Sequence, residues 1–371
     1  MKLGEIATMK YGKLPPKETN ADAAFPIFTG YRIAGFCDEY LYDEPEVIVV
    51  ARGVGGTGDV KISPEKSWIT NLSIVLSVDA TRINKRFLFY RLGQESLKDK
   101  LNTGAAQAQI TIENLRPYSI TIPSVATQER IANTLSAYDD LIENNRRRMR
   151  LLEDGARALY REWFVRLRFP GHEHTRIING VPQGWESKTL GELCEEVREA
   201  VKPEGLARDT PYIGLEHMPR RSISLDDWGN AQEVTSSKHR FREDDILFGK
   251  IRPYFHKVGI AFINGVASSD AIVIRPPEAR LRGFVLMTVS SDPFVAVTAQ
   301  TMREGSKMPR ADWKQMQAYP TPLPPDALLG TFESTVRPIV EQLRALTLGN
   351  QKLRAARDLL LPQLMTGEIA V

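Results

Sequence analysis

Residues 127–163 read TQERIANTLSAYDDLIENNRRRMRLLEDGARALYREW, and the folding of this stretch decides the rest. It has no Pro and one Gly, Gly155. Gln128, Ile131, Leu135, Tyr138, Ile142, Asn145, Met149, Leu152, Ala156, Leu159 and Trp163 follow one another by alternating steps of three and four. That spacing is the a/d seam of a heptad helix. A helix of roughly 37 residues is about 55 Å long, more than a small domain is wide. Most other positions are charged, so the seam needs a partner helix. The chain supplies one at 330–365, where Phe332, Val336, Ile339, Leu343, Leu346, Asn350, Leu353, Arg357, Leu360 and Leu364 repeat the spacing. Pro338 is expected to kink or fray this second helix, and Pro362 to weaken its end.

Outward from the helices, the chain reads as one plan used twice. Lys2-Leu3-Gly4-Glu5-Ile6 returns as Thr189-Leu190-Gly191-Glu192-Leu193. The apolar strand EVIVVARGVGG (46–56) corresponds to DDILFGKIRPY (244–254), and LSIVL (72–76) to DAIVI (270–274). TGAAQAQITIENLRPYSITIPS (103–124) aligns without a gap, at an offset of 201, within REGSKMPRADWKQMQAYPTPLPP (303–325), and each copy then enters a long helix. RFLFYRLGQESLKDKL (86–101) has helical spacing; its counterpart, 282–300, reads less clearly because of Pro293 and its β-branched residues. The expected fold is α+β. Two globular domains, 1–124 and 185–325, are joined by two long antiparallel coiled-coil helices, 125–168 and 326–371, as a pseudo-two-fold internal repeat. The Gly- and Pro-marked stretch 169–184 reads as an exposed polar linker.

Composition narrows the function. The chain has 371 residues, too many for one ordinary core. A net charge of +3 means that any nucleic-acid surface is local. The only cysteines, Cys37 and Cys194, form no framework, which suits a reducing cytoplasm. The N-terminus lacks the apolar core of a signal peptide, and no run of 18 apolar residues predicts a membrane span.

Motifs for catalysis are poor. Gly53-Val54-Gly55-Gly56-Thr57-Gly58 satisfies GxGxxG after a strand, but DVKISPEKS follows where a phosphate-binding helix would have to begin. A strand-to-strand turn is the better reading. Ser291-Asp292-Pro293-Phe294 has one Pro where a DNA methyltransferase loop has two, and no GxxxxGK[ST] exists. His172 and His174 sit in the linker without a third ligand, so no metal site is expected. His217, His239 and His256 read as structural or surface residues, and no cofactor is expected.

Loop cations and amides remain. Lys250, Arg252, Tyr254 and His256 would share one face if this segment is extended, beside Lys257. Arg303, Ser306, Lys307 and Arg310 suit phosphate contacts in the loop before the last strand. The matching first-domain loop carries Thr103, Gln107 and Gln109, and glutamine can read adenine bidentately. Arg52 and Lys61 flank the glycine turn as candidate phosphate contacts. Asn145 and Asn350 lie on the two apolar seams, where a buried Asn fixes register at a cost in stability.

The ordered motifs LGEL, DILFGKIRPY, EGSKMPR, PLPP and NQKLRAARDLLLPQLMTGEI, with IENNRRRMRLLEDGARALYREWF and VPQGWESKTLGEL, resemble the specificity (S) subunit of type I restriction-modification systems, the HsdS family. The resemblance runs from Leu3 to Ile369. It implies two target-recognition domains separated by two antiparallel helices, each domain reading one half of a split double-stranded DNA site. It also implies a non-catalytic subunit that holds two methyltransferase (M) subunits and is joined by motor-nuclease (R) subunits. The first copy departs from the motif, with ARGVGG for GKIRPY and AAQAQI for SKMPRA. Two other readings stay open: a coiled-coil scaffold without its own DNA readout, and, with less support, a stand-alone DNA methyltransferase.

Overall fold

The 127–163 stretch is an α-helix over Val125–Tyr160 and continues as a π-helical turn, Arg161–Val165. The second long helix, Asp326–Thr366, is unbroken. Pro338 therefore does not fray the helix as its sequence suggested; it removes one backbone donor from a helix held by its buried stripe. This computed structural model describes all residues except 16–22, 54–55, 105–106, 301–308 and 371, and the side chain of Glu233.

The chain divides into two compact units, Met1–Leu141 with Arg354–Val371, and Ile142–Leu353. Each long helix contributes residues to both. In the first unit, a four-stranded antiparallel sheet has the order Ala7–Tyr11, Ser73–Val78, Val47–Val50, Val60–Ile62. Successive side chains leave opposite faces of a strand. Val47, Val49, Ile74 and Leu76 join the core that includes Phe87 and Leu88, together with Ile131 and Leu135 of one long helix and Leu364 of the other. Ile48 and Val75, on the opposite face, pack with Ile69 of a small three-stranded sheet. Two-sided burial explains why VIVV carries no polar alternation.

The second unit has a sheet of the same kind, in the order Glu195–Val197, Ala271–Arg275, Ile246–Gly249, Val258–Ile260. Ile246, Phe248, Ile272 and Ile274 face a core shared with Met149 and Ala156 of the first long helix and Phe332, Val336 and Leu343 of the second. Leu247, Ala271 and Val273 face a second cluster with Ile213, Leu225 and Phe241. The uncertain 282–300 segment is two helices, Arg282–Val289 and Asp292–Gln300. Pro293 lies in the first turn of the latter, where its missing N–H would have had no helical partner.

The short Leu-Gly-Glu motif has the same physical basis in each unit. Leu3 N–H donates to Tyr118 O and Leu190 N–H to Tyr319 O, both at 2.9 Å. Glu5 and Glu192 accept the backbone N–H of Lys2 and Thr189, the reach-back half of a capping box at the start of each one-turn helix. A side chain at Gly191 would meet Gln317 Cβ at 2.9 Å, and one at Gly4 would collide with Arg116, so the helix turn fits only against glycine.

Within the second unit, the helices meet around a buried amide pair. Asn145 Nδ2 donates to Asn350 Oδ1 at 2.9 Å, and both residues are buried. Thr347 is also buried here, a position outside the stripe read from sequence. Asn350→Leu alone should destabilise this unit by about 1–3 kcal/mol, because it strands the Asn145 amide. Replacing both asparagines with leucine should recover most or all of that loss. Thermal midpoints of the two single variants and the double variant check this. A double variant no more stable than the singles would show that the amide pair is not the cause.

In the first unit, Arg357, read as a stripe position, forms an ion pair with Asp139, which also accepts the Tyr90 hydroxyl at 2.5 Å. Gln128 is fully buried. Its Oε1 accepts Asn84 N–H, and its Nε2 donates to Arg82 O and Pro123 O. The expected polar linker is more ordered than its composition suggested. Ile177–Ile178 and Val181–Pro182 pair as a hairpin through Asn179 and Gly180, both at positive φ. Phe169 is buried against Trp185, with ring centroids 5.3 Å apart.

Candidate nucleic-acid interface

In the first unit, the glycine-rich stretch is a loop between antiparallel strands, as its sequence context required. Gly58 N–H returns to Val50 O at 2.9 Å, and Gly53 and Gly58 have φ of 142° and 93°. Val54 and Gly55 lie outside the described residues. Tyr31 packs over the loop: a side chain at Gly53 or Gly56 would strike its ring, and its hydroxyl donates to Arg52 O at 3.1 Å. No local pattern marks Tyr31, because its partners lie more than twenty residues away.

Arg52 and Gln109 are paired as an isolated antiparallel bridge, and Ile110 N–H donates to Ala51 O at 2.8 Å. Thr103 N–H donates to Gln109 O at 3.0 Å. Asn102 Oδ1 accepts both Gly104 N–H and Gln109 N–H, so one side chain ties the loop at both ends. Gln107 is exposed and Gln109 half-buried. Arg52, Thr103 and Gln109 are thus brought together. Lys61, on the return strand, pairs with Asp59 at 3.5 Å and lines a surface hollow with Tyr31, Arg86 and Tyr90.

The second unit joins the equivalent segments. Ala311 N–H donates to Lys250 O at 2.8 Å, Ile251 bridges Arg310, and Arg252 N–H donates to Pro309 O at 3.0 Å. Lys250, Arg252 and Arg310 are therefore neighbours along one pairing. Arg310 reaches Asp270 at 3.4 Å. Lys250 donates to Ser269 O at 3.1 Å, and its half-buried position pushes its pKa down; Glu196 works against that and Arg198 with it. Arg303, Ser306 and Lys307 lie outside the described residues.

The extended strip expected for Lys250, Arg252, Tyr254 and His256 does not form. The strand ends at Gly249, and Pro253–Phe255 is a 3-10 turn flanked by Arg252 and His256 in the left-handed region. Pro253 cannot donate to a ladder, so it closes the strand. Arg252 and Tyr254 are exposed, whereas His256 is buried with Nε2 2.8 Å from Ser290 O. Burial pushes its pKa down. Lys257 turns inward to Leu215 O, and burial lowers its pKa as well. Cys194 is buried and pushed up to about 12, so it is no nucleophile at neutral pH. Among the described residues, no group of His, Cys, Asp and Glu is placed to hold a metal ion, and no helix is long and apolar enough to cross a membrane.

Residues 1–153 match the family model described as the type I restriction modification DNA specificity domain. The chain is similar to type I restriction-modification specificity subunits. It is 26% identical to the type I restriction enzyme MjaIX specificity subunit of Methanocaldococcus jannaschii, over 90% of this chain and 80% of that one. It is 21% identical to the type I restriction enzyme EcoDI specificity subunit of Escherichia coli, over 88% of this chain and 77% of that one. A crystal structure of the type-I restriction-modification system S subunit from M. genitalium shares the fold, with a TM-score of 0.63 and 18% identity over 98% of this chain and 95% of that one. The stretch matched at 1–153 covers the Arg52–Gln109 pairing.

Proposed function

We propose that this chain is the non-catalytic DNA-recognition subunit of a type I restriction-modification complex. It reads a bipartite, asymmetric site on double-stranded DNA, one half per recognition domain. The domains are 1–124 and 185–325, and the long helices, as an antiparallel pair, set the spacing of the half-sites and dock two methyltransferase subunits. Motor-nuclease subunits join that assembly.

One observation carries this reading. The same element, the segment leaving the buried strand and paired with the loop before the long helix, bears unlike polar residues in the two units. It is Arg52 with Gln109 in one, and Lys250 and Arg252 with Arg310 in the other. A common scaffold with different side chains at its exposed loop is what reading two different half-sites needs. Arg52, Lys61, Lys250, Arg252 and Arg310 are proposed for phosphate or base contacts, with Arg303, Ser306 and Lys307 from the same sequence pattern; Lys257, whose ammonium turns inward to Leu215 O, is not. Thr103, Gln107 and Gln109 are proposed readers of the first half-site. Asn145 and Asn350 are proposed to hold the helix register. Relatives named as specificity subunits support the assignment.

The test selects duplexes from a random pool with the full chain, then measures affinity against salt. A split asymmetric site is expected, with log affinity falling linearly with log salt. Arg52→Ala and Arg310→Ala should each reduce that slope by about one. Gln109→Ala should relax preference at a position in one half only. Selection of a contiguous or palindromic site, or of no site, would sink the proposal.

A further inference from the structure

Seven non-glycine residues among those described have left-handed backbone, and three of them, Arg221, Arg252 and His256, lie together in the second unit. Such conformations cost free energy and persist only where the surroundings impose them, often at functional sites. Here the restraints are visible. Arg252 N–H is held by Pro309 O, His256 N–H by Pro253 O, and His256 O accepts Arg221 N–H at 2.9 Å. The buried His256 ring is anchored at Ser290 O. The turn Pro253–Phe255 is fixed at both ends.

What this turn presents is unusual for a solvated loop. Tyr254 is 52% exposed, and the Phe255 ring stands behind it at 4.9 Å and 72°. Arg220 stacks on Phe255 with its guanidinium carbon 3.9 Å from the ring centroid, and Arg252 lies 5.8 Å from the same ring. Among the described residues, neither arginine has an acidic partner within salt-bridge distance. Arg221, by contrast, is satisfied by Asp292 at 2.9 Å. An exposed aromatic on a rigid turn, backed by a second ring and flanked by two cations without an acidic partner among the described residues, is complementary to a polyanion with apolar layers between its charges.

We propose that Tyr254 is a wedge that enters a base step of the second half-site, with Arg220 and Arg252 holding the phosphates on either side. This rests on the DNA-binding reading above and adds a mode of contact: unstacking by a ring, with Arg220 and Phe255 as further parts of the site. Wedges of this kind unstack a step and bend the duplex, so they sense how easily that step deforms. The rigid turn matters because a ring on a mobile loop would lose its own freedom on entering the stack.

The test uses the full chain and a 30-base-pair duplex carrying its selected site, with 2-aminopurine moved stepwise through the second half. Wild-type protein should brighten the probe at one step. Tyr254→Ala should lose that signal and weaken binding by about tenfold, with the salt slope unchanged. Tyr254→Phe should behave as wild type, since the ring and not the hydroxyl does the work. Arg220→Ala should keep the signal and lower the slope by about one. A Tyr254→Ala variant that binds within twofold and still brightens the probe overturns the proposal. So does one that binds DNA normally but no longer assembles with co-expressed methyltransferase subunits, since the turn would then be a protein contact. Wild-type protein that selects no duplex would overturn both this inference and the reading beneath it.

Discussion

Phe332→Ala is expected to destabilise the second unit by about 3–5 kcal/mol, the usual range for deleting a fully buried aromatic ring. Phe332, on the second long helix, is fully buried. Its ring lies 4.8 Å from Phe164 at 81°, and 5.9 Å and 6.3 Å from Trp163 and Tyr160. Phe164 in turn meets Phe284 of the helix Arg282–Val289 at 4.9 Å. The alanine variant therefore opens a cavity where both long helices and the domain core meet. Hydrogen exchange at the amides of Arg282–Val289 is the suitable measurement, because a chain of two units need not unfold in one step. Protection there should fall by about two to four orders of magnitude, at about 1.4 kcal/mol for each tenfold. A change below about 1 kcal/mol would mean that the cluster does not hold the unit together.

Glu153→Ala is expected to cost about 3 kcal/mol, through unsatisfied polar groups and not through lost packing. Glu153 lies on the first long helix and is almost fully buried. Its Oε1 accepts Ser222 Oγ and Ser224 Oγ, each at 2.7 Å, and Ser224 N–H at 3.2 Å. Arg157 reaches its Oε2 at 3.5 Å and also donates to Arg221 O at 2.7 Å. Truncation leaves the buried Ser224 hydroxyl without its acceptor and Ser224 N–H with Ser222 Oγ at 3.3 Å, whereas Glu153→Gln keeps one carbonyl oxygen in place and should recover much of the loss. Denaturant midpoints of the two variants decide this, and equal losses would refute the hydrogen-bond account. Because Arg221 N–H holds His256 O, loosening residues 221–224 should also weaken the DNA contact proposed for the Tyr254 turn.

The long helices were legible because a seam of three and four is a strong periodic signal, and the observed burial follows most of it. The two-faced central strands were legible as unbroken apolar runs. The small sheet formed by Phe25–Phe28, Ile33–Cys37 and Trp68–Ile69 was not, since its strands are short and half-exposed. At the candidate interface, sequence spacing located the cations but gave the wrong backbone for Lys250 to His256. Alternation assumes a strand, and Pro253 between two left-handed residues makes a turn. Glu153 was missed because helix periodicity says only which face lies off the seam. It does not say that Ser222 and Ser224, about seventy residues on, fold back against that face. Arg220 and Tyr31 carry no signal in sequence, because each acts through an aromatic or glycine contact made by the fold.

The sharing of the long helices between the units bears on how the chain is made. Leu364 is buried in the first unit's core beside Leu3, Ile6 and Leu135, although some 220 residues separate it from the end of that unit's first segment. A ribosome releases the N-terminal domain long before this residue exists. The first domain must wait in an incomplete state, with part of its apolar surface uncovered, until the last turns of the second helix emerge. The second unit is formed from one continuous segment, Ile142–Leu353, and has no such delay. Translation therefore imposes an order in which the later domain can close first, and a chain cut short by even a few turns leaves the earlier one unfinished.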